Sequence, residues 1–243
     1  MRMGFSSNTA RLGTTVGSMP LQAQLAILTL VTYFIGSLPF GLLVGFIKGV
    51  DIRQHGSKNI GASNAGRVLG HRRFFFIVFF LDLLKSLLPM GIASWMVSRV
   101  PVEAHTELTF LLWLMVGIAA ILGHVFPIYL KFKGGKGVAT SAGVVLGLYP
   151  YFTVAGVIAF MTFGVVLWKW KYISLGSLAA AVVFPFVYVG IGLWRHWDLT
   201  GRQLPLLVLA VFLCSLVIWR HRENVRRLCA GTERKIRSRS EQT

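Results

Sequence analysis

An all-α, polytopic integral membrane fold is what this 243-residue sequence predicts, and three observations carry the prediction. Hydrophobic residues make up 55% of the chain and charged residues only 14%, against about 25% charged in an ordinary soluble domain. Several apolar runs reach the roughly 20 residues that a helix needs to cross the hydrocarbon core. The basic residues behind a formal charge of +17 fall mainly between and after those runs rather than along one amphipathic face. That distribution favours membrane orientation over nucleic-acid binding.

The elements follow in order. Residues 1–20 form a polar amino-terminal extension with Arg2 and Arg11, and an uncleaved first helix starts at Leu21. Apolar runs extend from Leu21 to Ile47, Phe74 to Val97, Leu108 to Leu130, Val138 to Tyr149, Tyr151 to Trp168, Ile173 to Trp194 and Leu204 to Trp219. The fourth is short. Lys131, Lys133 and Lys136 precede it, while Lys169 and Lys171 follow the fifth, and cytoplasmic loops collect such charges. Both loops are therefore expected on one side, which makes the short run a thin or tilted crossing that turns at Tyr149-Pro150. Seven transmembrane helices result, with the amino terminus outside and the carboxyl terminus inside. A re-entrant short run is the alternative, and it would break this parity. A membrane domain over residues 21–221 and a basic cytoplasmic tail over 222–243 complete the division.

Within the spans, Gly41, Gly45 and Gly49 recur every fourth residue, a spacing that favours close approach to a neighbouring helix. Asp82 and Lys85 stand one turn apart, either as a structural pair or facing a substrate. Cys214 and Cys229 fit neither a disulfide framework nor a metal-ligand spacing. No metal or cofactor is expected.

Three polar segments are candidates for chemistry. The first loop, Asp51 to Arg67, mixes glycines with Arg53, Lys58 and Arg67 and with the directed groups of Ser57, Asn59, Ser63 and Asn64. Basic residues alone would suit lipid head groups, but the repeated Gly and Asn point to a phosphate-bearing ligand. The second, Lys131-Phe-Lys-Gly-Gly-Lys-Gly137, precedes the short helix. Gly134, Gly135 and Gly137 can expose successive amides beside Lys136 at a positive helix end. It is not a nucleotide P-loop, because Gly137 stands where Ser or Thr would bind magnesium. The third, His221-Arg-Glu-Asn224, puts His221 and Asn224 on one face if the last helix continues.

Taken together, these segments resemble the bacterial acyl-phosphate-dependent glycerol-3-phosphate acyltransferases, the PlsY family. The resemblance is carried by Gly36-Ser-Leu-Pro-Phe-Gly41, Asp51-Ile-Arg53, Gly56-Ser-Lys-Asn-Ile-Gly-Ala-Ser-Asn64 through Arg67, and Leu81-Asp-Leu-Leu-Lys85. It continues in His124-Val-Phe-Pro127, Phe132-Lys-Gly-Gly-Lys-Gly-Val-Ala-Thr140, His221-Arg-Glu-Asn224, Arg227-Leu228 and Gly231-Thr-Glu233. Lys58 and Ser63 depart from the Gly and Thr common in similar members.

The resemblance implies seven helices in a bacterial inner membrane, a cytoplasmic active site, and transfer of a fatty acyl group from acyl phosphate to the 1-position of glycerol 3-phosphate. Lysophosphatidic acid and phosphate would be the products of this step in phospholipid biosynthesis. It further implies that Gly134, Gly135, Lys136, Gly137 and Thr140 hold the donor phosphate. Ser37, Arg53, Ser57, Asn59, Asn64, His221 and Asn224 would shape the glycerol 3-phosphate pocket, with Arg67 and Glu233 in support. Lys136, His221 and Asn224 are the expected catalytic set. No His is followed five positions later by Asp, so the acid–base pair of acyl-CoA-dependent acyltransferases is missing. Either a substrate phosphate or His221 must take the hydroxyl proton. An anion transporter, a noncatalytic lipid-binding protein and an acyl-CoA-using enzyme are the competing readings. Membrane lipid and the two substrates are the expected partners, with transient docking of a soluble acyl-phosphate-producing enzyme left open.

Overall fold

The computed structural model describes residues 19–101, 106–201 and 203–235; the amino-terminal extension, apart from Met19 and Pro20, and the last residues of the basic tail lie outside them. Every regular element among the described residues is helical. Helix α1 (Leu21–Gly36) stops before Pro39, which lacks an amide hydrogen, and α2 (Phe40–Ile47) resumes directly after it. A short α3 (Ala62–Val68) leads into α4 (Arg72–Ser98), whose first turn is capped by His71 accepting from the Arg73 amide at 3.1 Å. Then come α5 (Glu107–Val125), the short α6 (Val138–Gly147), α7 (Thr153–Trp170), α8 (Ile173–Trp194), α9 (Leu204–Arg220) and α10 (Arg222–Cys229).

Helix α5 is the centre: 61% of its most apolar stretch is buried, against 17% to 39% in the other span-length helices. Its contact with α1 depends on glycine. A Cβ on Gly123 would lie 2.4 Å from the Tyr33 carbonyl oxygen, and one on Gly36 would lie 2.4 Å from that of Ala120. Large apolar side chains such as Leu30, Leu88, Met161 and Phe186 point outward, as lipid-facing surfaces require. A smaller cluster of Leu42, Ile52, Ile60, Ala65 and Val78 anchors the first loop beneath α2 and α4.

The long first run is broken at Ser37–Pro39, and the expectation for its glycines is corrected. Gly41 packs first against the Ile60 carbonyl and then against Val78 of α4, and Gly45 against the Val50 carbonyl, so the closest approach is to the loop. Gly49 lies past the helix end at φ +71°.

Among the described residues, five helical stretches, counting α1 and α2 as one, are long and apolar enough to cross a membrane; α9 qualifies only with α10, beyond a 58° bend. Helix α6 has ten residues, about 15 Å, or half the hydrocarbon thickness. Its position explains how so short an element fits. Ser86 Oγ donates to the Thr140 carbonyl at 2.8 Å and Ser94 Oγ to that of Gly147 at 2.7 Å. Helix α6 thus runs parallel to α4, starting midway along it and ending close to its far end.

Candidate active site

The three polar segments meet at one end of the bundle around a cavity of ≈ 560 Å³. In the first loop, Gly56 and Lys58 both take left-handed conformations, at φ 62° and 58°. The turn closes on Asn64, whose Oδ1 accepts from the Ser57 amide at 2.8 Å while Nδ2 donates to the carbonyls of Ile52 (2.8 Å) and His55 (3.2 Å). Asn64 therefore braces the loop. Asn59 Oδ1 accepts from the Gly61 amide at 2.9 Å. Ser57, Lys58, Asn59, Ser63 and Arg67 form the wall, and the Arg67 guanidinium has no hydrogen-bond partner among the described residues.

Arg53 departs from expectation. It pairs with Asp51, Nε and Nη2 lying 3.0 and 2.7 Å from the two carboxylate oxygens, and its side chain is 46% exposed outside the cavity. The Arg53 hydrogen bonds hold the Asp51 carboxyl down at about 2. Short range explains this capture: the two residues are two positions apart in a turn. Ser37 is also absent from the wall, its Oγ donating to the Tyr33 carbonyl within α1 at 2.8 Å.

The glycine segment works differently from the expected row of free amides. Gly134 N–H donates to the Val125 carbonyl and Gly135 N–H to that of His124, both at 3.1 Å. Their own carbonyls accept from Arg220 Nη2 at 3.1 and 2.7 Å. Gly135 is required by proximity, since a Cβ there would lie 2.1 Å from His124 Nε2. These two glycines allow tight packing. What faces the cavity is Gly137 with the start of α6, where Val138 and Ala139 lie in the first turn, whose amides have no partner within the helix. Thr140 is fully buried behind that wall, and its Oγ1 has no hydrogen-bond partner.

Lys136 Nζ donates to Asn224 Oδ1. Asn224 Nδ2 donates to Glu233 Oε1 at 2.8 Å, as does Ser174 Oγ, and Arg227 Nε reaches Glu233 Oε2 at 2.7 Å. Burial pushes the Lys136 ammonium down to about 8, Arg227, Arg220 and Arg67 adding to the shift and Glu233 opposing it. Burial alone would raise the Glu233 carboxyl, but hydrogen bonds from Asn224, Ser174 and Arg227 outweigh it and hold the group low. His221, at the bend between α9 and α10, places Nδ1 2.8 Å from the Val217 carbonyl. That contact fixes the proton on Nδ1 and leaves Nε2 as an acceptor. Burial and then the neighbouring Lys136 push the imidazole down to about 4, so it is neutral at physiological pH.

The cavity continues sideways into an apolar groove of ≈ 100 Å³ between α4, α6, α7, α8 and α9. Phe79, Val138, Phe163 and Ser177 belong to both walls. Sequence reasoning missed Arg220, Ser174, Ser177 and Arg227 as site residues. Arg220 and Arg227 were hidden among the basic tail, and the two serines at the start of an apolar run gave no signal at all.

Fold and site define a helical membrane protein in which a cationic cavity at one end meets an intramembrane groove. The family model described as glycerol-3-phosphate acyltransferase matches residues 26–231. Similar proteins named glycerol-3-phosphate acyltransferase come from Geotalea daltonii, 40% identical over 85% of this chain and 95% of the relative, and Staphylococcus haemolyticus, 42% identical over 88% and 98%. The crystal structure of PlsY, an integral membrane glycerol 3-phosphate acyltransferase, in its glycerol 3-phosphate form superposes with a TM-score of 0.72 at 34% identity, covering 88% of this chain and 96% of that one. A lysophosphatidic acid form of PlsY superposes with a TM-score of 0.69. The chain belongs to the glycerol-3-phosphate acyltransferase family, and it is an acyltransferase of the PlsY type.

Proposed function

We propose that this enzyme moves a fatty acyl group from acyl phosphate to the 1-hydroxyl of glycerol 3-phosphate, giving lysophosphatidic acid and inorganic phosphate. The observation that carries this reading is the shared wall of Phe79, Val138, Phe163 and Ser177, which joins a cavity suited to phosphates to a groove suited to an alkyl chain. Both solved relatives are described with ligands of that pathway: one in a glycerol 3-phosphate form, one in a lysophosphatidic acid form.

The acyl chain lies in the groove, and the donor phosphate sits at the first turn of α6 beside Lys136. Glycerol 3-phosphate places its phosphate against Arg67 and Ser57, with Asn224 and Glu233 fixing Lys136 between the two anions. The 1-hydroxyl oxygen attacks the acyl carbonyl, the acyl carbon–oxygen bond to phosphate breaks, and the departing phosphate leaves with its negative charge balanced by Lys136. A phosphate with a second pKa of about 6 is a stronger base than an imidazole near 4. The hydroxyl proton therefore goes to a phosphate oxygen, and His221 Nε2 serves to orient the hydroxyl. Seven passes, with the lysine- and arginine-rich end at the cytoplasmic face of a bacterial inner membrane, are what the positive-inside rule supports.

The test supplies purified protein with glycerol 3-phosphate and either palmitoyl phosphate or palmitoyl-CoA, following lysophosphatidic acid by mass spectrometry. Product from acyl phosphate is expected. Exclusive use of the CoA thioester would overturn the donor assignment.

A further inference from the structure

Beneath the phosphate-binding groups, the floor of the cavity carries a carboxylate whose capacity the chain's own donors do not fill. Phe75, Phe79 and Asp82 form one stripe of α4 along the cavity wall, and seven residues of helix put Asp82 about 10 Å deeper than Phe75. Asp82 is 3% exposed. Lys85 Nζ lies 2.8 Å from its Oδ1, and the same ammonium donates to the Leu38 carbonyl and to His124 Nδ1, both at 2.9 Å. The ion pair with Lys85 leaves Asp82 Oδ1 without a hydrogen bond among the described residues. His124 Nδ1 lies 2.9 Å from Lys85 Nζ and 3.5 Å from Asp82 Oδ1, and it makes no hydrogen bond to that oxygen. An ionised carboxylate has about four acceptor positions, and no other donor among the described residues reaches this one. A lysine whose hydrogen bonds go to other groups therefore stands beside a buried, cavity-facing acceptor with capacity to spare. A structural ion pair alone would not need to open onto the cavity.

The depth identifies the complementary ligand. Asp82 lies one turn beyond Phe79, where the cavity meets the groove and where the hydroxyl end of the acceptor must meet an acyl carbonyl. Resting on the acyl-transfer reading above, we propose that Asp82 is a specificity-determining residue that accepts a hydrogen bond from the 2-hydroxyl of glycerol 3-phosphate and so presents the 1-hydroxyl to the acyl group. The 2-hydroxyl is the better partner of the two. A carboxylate on the reacting hydroxyl would compete with the phosphate that receives its proton, whereas one on its neighbour orients without interfering. A site built around such a bond discriminates strongly against an analogue that cannot make it.

The experiment compares glycerol 3-phosphate with 3-hydroxypropyl phosphate, which lacks the 2-hydroxyl, using palmitoyl phosphate as donor. The wild-type enzyme is expected to prefer glycerol 3-phosphate in kcat/KM by on the order of 10- to 100-fold. Asp82→Leu together with Lys85→Met, which removes the acceptor without stranding a buried ammonium, is expected to erase that preference. Activity toward the deoxy analogue should stay within about threefold of wild type. Equal losses on both substrates would show a purely structural residue, and unchanged preference in the variant would also overturn the proposal. Equal wild-type activity on both acceptors overturns it even if the variant does not fold. A wild type inactive on both acceptors would instead sink the acyl-transfer reading itself, a result distinct from any of these.

Discussion

Lys136 and Asn224, 88 residues apart in the chain, are joined directly by a hydrogen bond from the ammonium to the amide oxygen. This contact docks the tail helix α10 on the start of α6, and through Glu233 it extends to α8 at Ser174. The cation that faces the cavity is therefore held by a chain of polar groups rather than by its own flexible stem.

That environment makes the anion site sensitive to alkaline pH. A lysine held down at about 8 is charged below that value and loses its charge as the pH rises through it. The kcat/KM for glycerol 3-phosphate, which reports the free enzyme, should be flat from pH 7 to 7.5 and then fall by about tenfold per unit above pH 8. Lys136→Arg should keep lower but pH-independent activity up to pH 9.5, because a guanidinium does not deprotonate there. A wild-type profile still level at pH 9.5 would contradict the assignment.

Arg53 and Arg67 should behave differently despite sharing one loop. Arg53 is committed to Asp51 at the surface, where solvent screens an exposed pair and leaves it little weight. Arg53→Ala should change kcat/KM by about fivefold or less. Arg67 lines the cavity with its guanidinium unpaired, and Arg67→Ala should raise the KM for glycerol 3-phosphate on the order of 10- to 100-fold. Steady-state kinetics of the two variants, side by side, decides this.

The contrast shows what the sequence made legible and what it did not. Hydropathy and the lysine distribution gave the helical membrane fold and gathered the three polar segments at one end, because both signals are local and repeat along the chain. The residue types in those segments pointed to phosphate, but not to which cation would be neutralised nearby: Arg53 and Arg67 look alike until Asp51 is seen to fold back. The spacing of Gly134 and Gly135 suggests free amide donors, yet close packing on His124 and Val125 consumes their amides. Ser174 joined the site only through a contact 59 residues away with Glu233, a pairing no spacing rule contains. The depth of α6 was likewise set by Ser86 and Ser94 on another helix.

Glycine substitutions separate the packing role from helix propensity. Gly135→Ala would force a Cβ to within 2.1 Å of the buried His124 ring, and overpacking of this kind costs about 1–3 kcal/mol. Displacement of the ring would also disturb Lys85 and Asp82. Gly91, inside α4, has nothing near its Cβ position, so Gly91→Ala should stabilise by about 0.5–1 kcal/mol and leave activity intact. Thermal stability in detergent and acyl transfer by the same preparations should both fall for Gly135→Ala, whereas Gly91→Ala should gain stability and keep wild-type activity; equal tolerance at both positions would refute the glycine loop as a packed support.

Glu233 should matter to both stability and catalysis through its three partners. Glu233→Gln keeps the shape but replaces charged acceptors by one neutral oxygen, weakening the bonds from Asn224, Ser174 and Arg227. Hydrogen bonds to a charged group are worth about 1.5–3 kcal/mol, so a loss of about 2 kcal/mol is expected even after partial re-pairing. The pH dependence has a definite sign. A carboxyl held below its ordinary value of 4.5 contributes stability above that value and loses it as the pH falls through the lower folded value. Wild type should therefore lose part of its thermal stability below pH 4.5, whereas Glu233→Gln should start lower and lose less over the same interval. Because Lys136 would keep its charge but not its support, kcat/KM should fall further than stability alone explains, and adding Asn224→Ala to Glu233→Gln should cost little more than the first change. Fully additive losses would mean that the two residues act independently, contrary to the shared hydrogen-bond chain that links them to Lys136.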